Sequence, residues 1–107
     1  MKYEVFLTAD AERDVEEIYA YLAEYRSIEE ADYVKGKLLD VVDRLERFPN
    51  RGTHPPALAE IGATSFREVF FKPYWVIYRV IEKRVYIYMV VDGRRDMTTV
   101  LAERLLR

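Results

Sequence analysis

FREVFFKPYWVIYRVIEKRVYIYMVV, residues 66–91, is the stretch whose reading decides the fold. Three runs rich in β-branched and aromatic residues, Phe66–Phe71, Trp75–Ile81 and Val85–Val91, are parted by Lys72-Pro73-Tyr74 and by Glu82-Lys83-Arg84. Runs of this length and chemistry with such short breaks predict consecutive hairpin-connected strands. Asp92-Gly93 ends the third. Beyond it Asp96 is placed to cap a last helix, roughly Met97 to Arg107, with Val100, Leu101 and Leu105 as a short apolar face.

Upstream the period changes. Residues 2–8 alternate, with Tyr3, Val5 and Leu7 on one face, as in a short strand. From Ala9 to Tyr25 the apolar positions Ala11, Val15, Ile18, Leu22 and Tyr25 fall at spacings of four and three, one stripe along a helix. Asp10, Glu12 and Asp14 occupy its first turns, where the helix dipole favours acids. Ser27-Ile28-Glu29-Glu30 has the form of a capping box. A second stripe follows, Ala31, Val34, Leu38, Val41, Leu45 and Phe48, until Pro49-Asn50-Arg51-Gly52 stops it. Residues 49–65 show no sustained period and read as a surface connection pinned by Leu58 and Ile61. The order is β-α-α-β-β-β plus a short C-terminal helix. It predicts an α+β two-layer sandwich, an antiparallel sheet packed by a helical hairpin, with the pairing of the first strand left open.

The chain has 107 residues, enough for one core and too few for two ordinary domains, so a single domain spans 1–107. It has no cysteine, which excludes disulfides, thiolate metal sites and a cysteine nucleophile. The start lacks the basic and apolar regions of a secretory signal, and no uncharged stretch approaches membrane-spanning length; a cytoplasmic location away from membranes is expected. Residues 1–50 carry 7 Lys/Arg against 13 Asp/Glu, whereas residues 51–107 carry 10 against 6. Contacts made through positive charge are therefore expected on the C-terminal half.

His54 is the only histidine, so one chain cannot build a catalytic triad or a multi-histidine metal site. Beside Pro55-Pro56 it reads as a turn residue. The acids Asp10, Glu12, Asp14, Glu16 and Glu17 read as a solvated helix face. No metal or cofactor is implied. Arg94 and Arg95 join the last strand to a helix, where two guanidinium groups can hold an anion or an acidic partner; the structural alternative is that one pairs with Asp96 or a sheet acid. Arg67 and Arg79, on strands, can extend this basic surface if they face the open side. Nearby rings, among them Trp75 and Tyr78, suit packing first and single-stranded nucleic acid second.

Phe66-Arg67-Glu68-Val69, Trp75-Val76-Ile77-Tyr78-Arg79-Val80 and Asp92-Gly93-Arg94-Arg95-Asp96, in this order after the Phe48-Pro49 to Gly52 break, resemble the ParE/RelE toxin superfamily, and ParE-like members most. The resemblance spans nearly the whole chain. It implies the RelE/ParE-like fold and the toxin of a type II toxin–antitoxin system of the plasmid-stabilisation kind, neutralised by a cognate antitoxin. RelE-like members cleave messenger RNA in the ribosome with lysines and arginines on the strands and a tyrosine in the final segment. On matching the strands, Arg95 falls where the late arginine sits and Arg67 near a catalytic lysine, but Trp75 replaces the central arginine and Leu101 the tyrosine. Cleavage by the RNA 2′-hydroxyl needs acids, bases and charge stabilisers around one phosphate, and two of those roles lack side chains. ParE-like toxins instead inhibit DNA gyrase by protein–protein contact, the function expected here. Ribosome-dependent mRNA cleavage and a retained fold without toxicity are the alternatives. Arg94, Arg95, Arg67 and Arg79 are the candidates for meeting the target. Trp75, Tyr78, Leu101 and Leu105 are those for an antitoxin groove, and a homodimer or a toxin–antitoxin hetero-oligomer is the assembly to expect.

Overall fold

A computed structural model describes residues 2–60 and 62–105. Its elements run β1 (Glu4–Leu7), α1 (Ala9–Tyr25), α2 (Ile28–Arg44), α3 (Pro56–Ala59), β2 (Phe66–Phe71), β3 (Tyr74–Ile81), β4 (Arg84–Asp92) and α4 (Met97–Leu105). The three C-terminal strands are antiparallel neighbours as their composition predicts, and the sheet order is β1-β4-β3-β2. β1 pairs with β4 in parallel, Glu4 to Arg84 through Leu7 to Ile87. A parallel pair needs a long connection, and the helical hairpin with β2 and β3 supplies it.

Both hairpin helices start on side-chain caps. Thr8 accepts from the Ala11 N–H at 3.2 Å and Ser27 from the Glu30 N–H at 3.0 Å. Only the serine half of the anticipated capping box forms. The Glu30 carboxylate instead takes Arg26 at 3.1 Å. The stripes of α1 and α2 bury Ala11, Val15, Leu22, Ala31, Leu38, Val42 and Leu45. Their outer ends depart from expectation: Tyr25 is 64 % exposed and Phe48 62 % exposed. Tyr25 sits on the last turn of α1 and rests on Tyr21. α2 ends at Arg44, so Phe48 no longer follows the helical period.

Strand alternation gives the sheet two faces. Toward the hairpin point Val69, Tyr74, Val76, Tyr78, Val85, Ile87 and Val90, which form the main core with α1 and α2. Toward the other side point Phe66, Ile77, Met89 and Val91, covered by Leu58 of α3 and by Val100 and Leu101 of α4. The expected two-layer sandwich thus gains a partial third layer. It was not visible as a pattern because α3 is only four residues long, started by Pro55-Pro56 and held by the buried Leu58. Ile61, the second expected pin, and residues 106–107 of the last helix lie outside the described residues, as does the side chain of Leu105.

Candidate interaction site at the end of the sheet

β1 stops at Leu7, so β4 beyond Ile87 has no strand on that side. The Thr8 N–H still reaches the Ile87 carbonyl at 3.0 Å, and beyond it side chains serve the backbone. Thr8 Oγ1 donates to the Ile87 carbonyl at 2.9 Å, and Asp14 Oδ2 accepts from the Val90 N–H at 3.0 Å. Asp14 also takes both guanidinium arms of Arg104, at 3.1 and 2.9 Å. That fork ties α4 to α1. The reading of Asp14 as part of a solvated face is therefore corrected: its side chain is 13 % exposed and closes an open strand edge. Nothing in the spacing of Asp14 and Arg104, 90 residues apart, could have announced the pair.

Around this edge lies a cleft of about 680 Å³. Asp14, Tyr21 and Leu22 of α1 form one wall, Arg26 and Glu30 the helical corner, and Lys72, Arg94 and Arg95 the opposite rim. The two junction arginines behave differently. Arg94 folds back on Asp92, with Nε at 3.0 Å and a second arm at 2.5 Å, and this pair holds the Asp92 carboxyl below its usual range. The sequence-level alternative of pairing with a sheet acid is thus realised by Arg94. Arg95 is exposed, and its guanidinium has no hydrogen-bond partner among the described residues. Asp96 caps α4 through Thr99, as expected, and its carboxyl is lowered by those bonds.

The other two candidate arginines do not join this surface. Arg67 faces the hairpin side and donates to the carbonyls of Gly52 (2.7 Å) and Asn50 (3.3 Å), holding the chain after α2. It pairs in register with Tyr78, four rungs from the Tyr74–Asp92 rung beside the junction, about 13 Å along the sheet. Arg79 lies on the opposite face, over the Phe66 ring at 5.5 Å, with a buried Nε that has no hydrogen-bond partner among the described residues.

The proposed groove residues separate in the same way. Tyr78 is fully buried in the main core; its hydroxyl donates to the Pro49 carbonyl at 2.8 Å and accepts from the Gly52 N–H at 3.0 Å. It is a scaffold residue, and the groove assignment is corrected. Burial raises its phenol above the ordinary value. Trp75 and Leu101 do come together, on the other face, where they line a second cavity of about 320 Å³ with Glu60, Glu68, Pro56 and Met97. Leu101 is a buried wall rather than a free contact. Gly93 has to be glycine here, because a Cβ would collide with the Trp75 indole. His54 is exposed and its Nδ1 lies 3.0 Å from the Phe66 carbonyl, consistent with a turn residue. Among the described residues, no cluster of His, Cys, Asp or Glu could hold a metal ion, and no helix is long and apolar enough to cross a membrane.

The profile of a family described as "ParE toxin of type II toxin-antitoxin system, parDE" matches residues 5–97, from β1 to the start of α4. The chain belongs to the ParE toxin family. No curated protein sequence matches it. Among solved structures it is similar to a chain of the chromosomal ParDE toxin–antitoxin system from P. aeruginosa, with a TM-score of 0.71 at 19 % identity over 85 % of this chain and 96 % of that one. It is also similar to a chain of the toxin–antitoxin complex RelBE2 from Mycobacterium tuberculosis, with a TM-score of 0.64 at 18 % identity over 86 % and 99 %. At these identities the two structures bear on the fold, which is that of ParE/RelE toxins. In this ParE-family chain the arginines matched to RelE-type positions do not converge: Arg67 is spent on the loop after α2, and Arg95 stands at the cleft rim.

Proposed function

We propose that this ParE-family chain is a toxin that acts on DNA gyrase by protein–protein contact, and that a cognate antitoxin neutralises it by seating a segment in the cleft that α1, the end of β4 and α4 line. The observation that carries the choice of target is the charge of the cavity where Trp75 and Leu101 stand. The only charged residues lining it among those described are Glu60 and Glu68. Two carboxyl groups offer none of the positive charge with which an RNA-cleaving site must hold and stabilise a phosphate. Arg67 is engaged on the loop after α2, and Lys72, Arg94 and Arg95 line the cleft on the hairpin side instead of this cavity.

Protein contact, by contrast, suits what is exposed. Arg95 and Lys72 rim a cleft whose wall carries the half-uncovered Tyr21, with Tyr25 next to it. A partner segment with acidic side chains and apolar anchors fits such a surface, charge setting orientation and rings giving affinity. Toxicity should appear as growth arrest on induced expression, relieved by co-expression of the antitoxin. With purified components, the protein should block gyrase supercoiling or trap cleaved DNA and leave ribosome-bound message intact. Cleaved message with unaffected gyrase would overturn the assignment.

A further inference from the structure

The second cavity holds a carboxyl that the fold does not use. Glu68 is 8 % exposed, yet its side chain makes no hydrogen bond and no ion pair with any described residue. Its backbone is engaged, exchanging bonds with Thr53 across the outer edge of β2 at 2.7 and 3.1 Å, so the residue is firmly placed while its carboxyl is left over. A carboxyl largely withdrawn from bulk water, in touch only with the cavity and without a partner, is costly. Among the described residues none compensates it: the other titratable group lining the cavity is Glu60, at the end of α3, and β3 and α4 contribute Trp75, Met97, Thr98 and Leu101. His54, on the loop beside β2, is occupied with the Phe66 carbonyl. Burial accordingly pushes Glu68 up to about 7.

We propose that this cavity is a binding site for a cationic side chain, lysine or arginine, presented by a polypeptide partner. Each wall matches a part of such a side chain. Pro56, Met97 and Leu101 offer apolar walls for the aliphatic stem, Trp75 an aromatic neighbour for the cation, and Glu68 the counter-ion. About 320 Å³ accommodates a butylguanidinium group with room for water. The surroundings favour a polypeptide as carrier. β2 is the outer strand of the sheet, its Phe70 is 52 % exposed, and the Phe70 ring leans on Trp75 with 5.5 Å between centroids. With the edge at Glu68 already bridged by Thr53, it is the exposed Phe70 ring, next to the cavity residue Trp75, that offers a polypeptide segment an apolar contact. The proposal draws on the toxin reading only in supposing a polypeptide partner, and it makes no use of the cleft on the hairpin side.

Trp75 is the sole tryptophan, so its fluorescence reports this cavity directly. The chain is titrated with n-butylguanidinium, n-butylammonium and, as a neutral control, n-butanol. Saturable quenching by the two cations at pH 8, absent with butanol, is expected. Binding should weaken about tenfold at pH 6, because Glu68 must then give up a proton to receive a cation. In Glu68→Gln, with its circular dichroism and melting checked, cation binding should fall at least about tenfold and lose its pH dependence, as the site keeps its shape and loses its charge. Equal binding of butanol, pH-independent binding or undiminished binding to Glu68→Gln would overturn the site, as would no binding at all. Because neither gyrase nor antitoxin is present, failure here leaves the proposed toxin activity standing, and loss of that activity would leave the cavity standing.

Discussion

Tyr78→Phe separates a scaffold role from a docking role at a residue whose ring and position suit both. The substitution removes one oxygen and leaves the ring in the core. That oxygen bridges the Pro49 carbonyl and the Gly52 N–H, at 2.8 and 3.0 Å, inside a site where Tyr78 is 0 % exposed. Both backbone groups would be left without this partner in a space already crowded: a Cβ at Gly52 would lie 2.6 Å from the same hydroxyl. At roughly 1–1.5 kcal/mol for each buried group stranded, the loss is about 2–3 kcal/mol. For a domain of this size that lowers the melting temperature by roughly 8–15 °C. Urea unfolding monitored by circular dichroism gives the free energy, and antitoxin binding well below the melting temperature gives the other half of the comparison. Reduced stability with unchanged affinity is expected. Stability within about 0.5 kcal/mol of the parent together with weakened antitoxin binding would refute the reasoning and return Tyr78 to the docking surface.

Further outcomes follow from the same geometry. Arg95→Ala should weaken toxicity while leaving stability within about 0.5 kcal/mol, since its exposed guanidinium makes no hydrogen bond among the described residues; full toxicity in the Arg94→Ala, Arg95→Ala double variant removes the junction from the target surface. Asp14→Ala leaves the Val90 N–H and Arg104 without their shared acceptor and should cost about 2–4 kcal/mol, with faster amide exchange in α4 as the sign that its tether has gone. Glu68 titrates higher in the folded chain, about 7 against 4.5, so folding favours its protonated form. The stability it contributes is complete below pH 4.5, is lost as pH rises through the interval to 7, and is absent above it. After allowance for cavity water this amounts to about 1–2 kcal/mol, read as the change in stability difference between the parent and Glu68→Gln from pH 4.5 to pH 8. His54→Ala should leave toxicity intact, as growth arrest on induction will show.

Local pattern determined much of this protein. Alternating rings and β-branched residues in 66–91 specify strands because successive side chains point to opposite faces, and the three- and four-residue spacings in 9–25 and 31–45 specify helices because those positions share a stripe. The caps at Ser27 and Asp96 were equally legible, being satisfied within three residues. What the tertiary structure decided has a common cause, contact between segments far apart in the chain. Arg67 and Arg79 lie on different strands, β2 and β3, so their opposite faces follow from the hairpin register, and alternation alone does not say which face the helices cover. Only packing sent Arg67 to the loop after α2 and Tyr78 into the core. Only the early end of β1 left the β4 edge for Asp14 to close, and only the return of α3 and α4 across the second face enclosed Glu68 beside Trp75. Electrostatic character was the least legible, because a carboxyl reads the same in sequence whether it meets bulk water, as most acids of α1 do, or the largely apolar wall of a cavity.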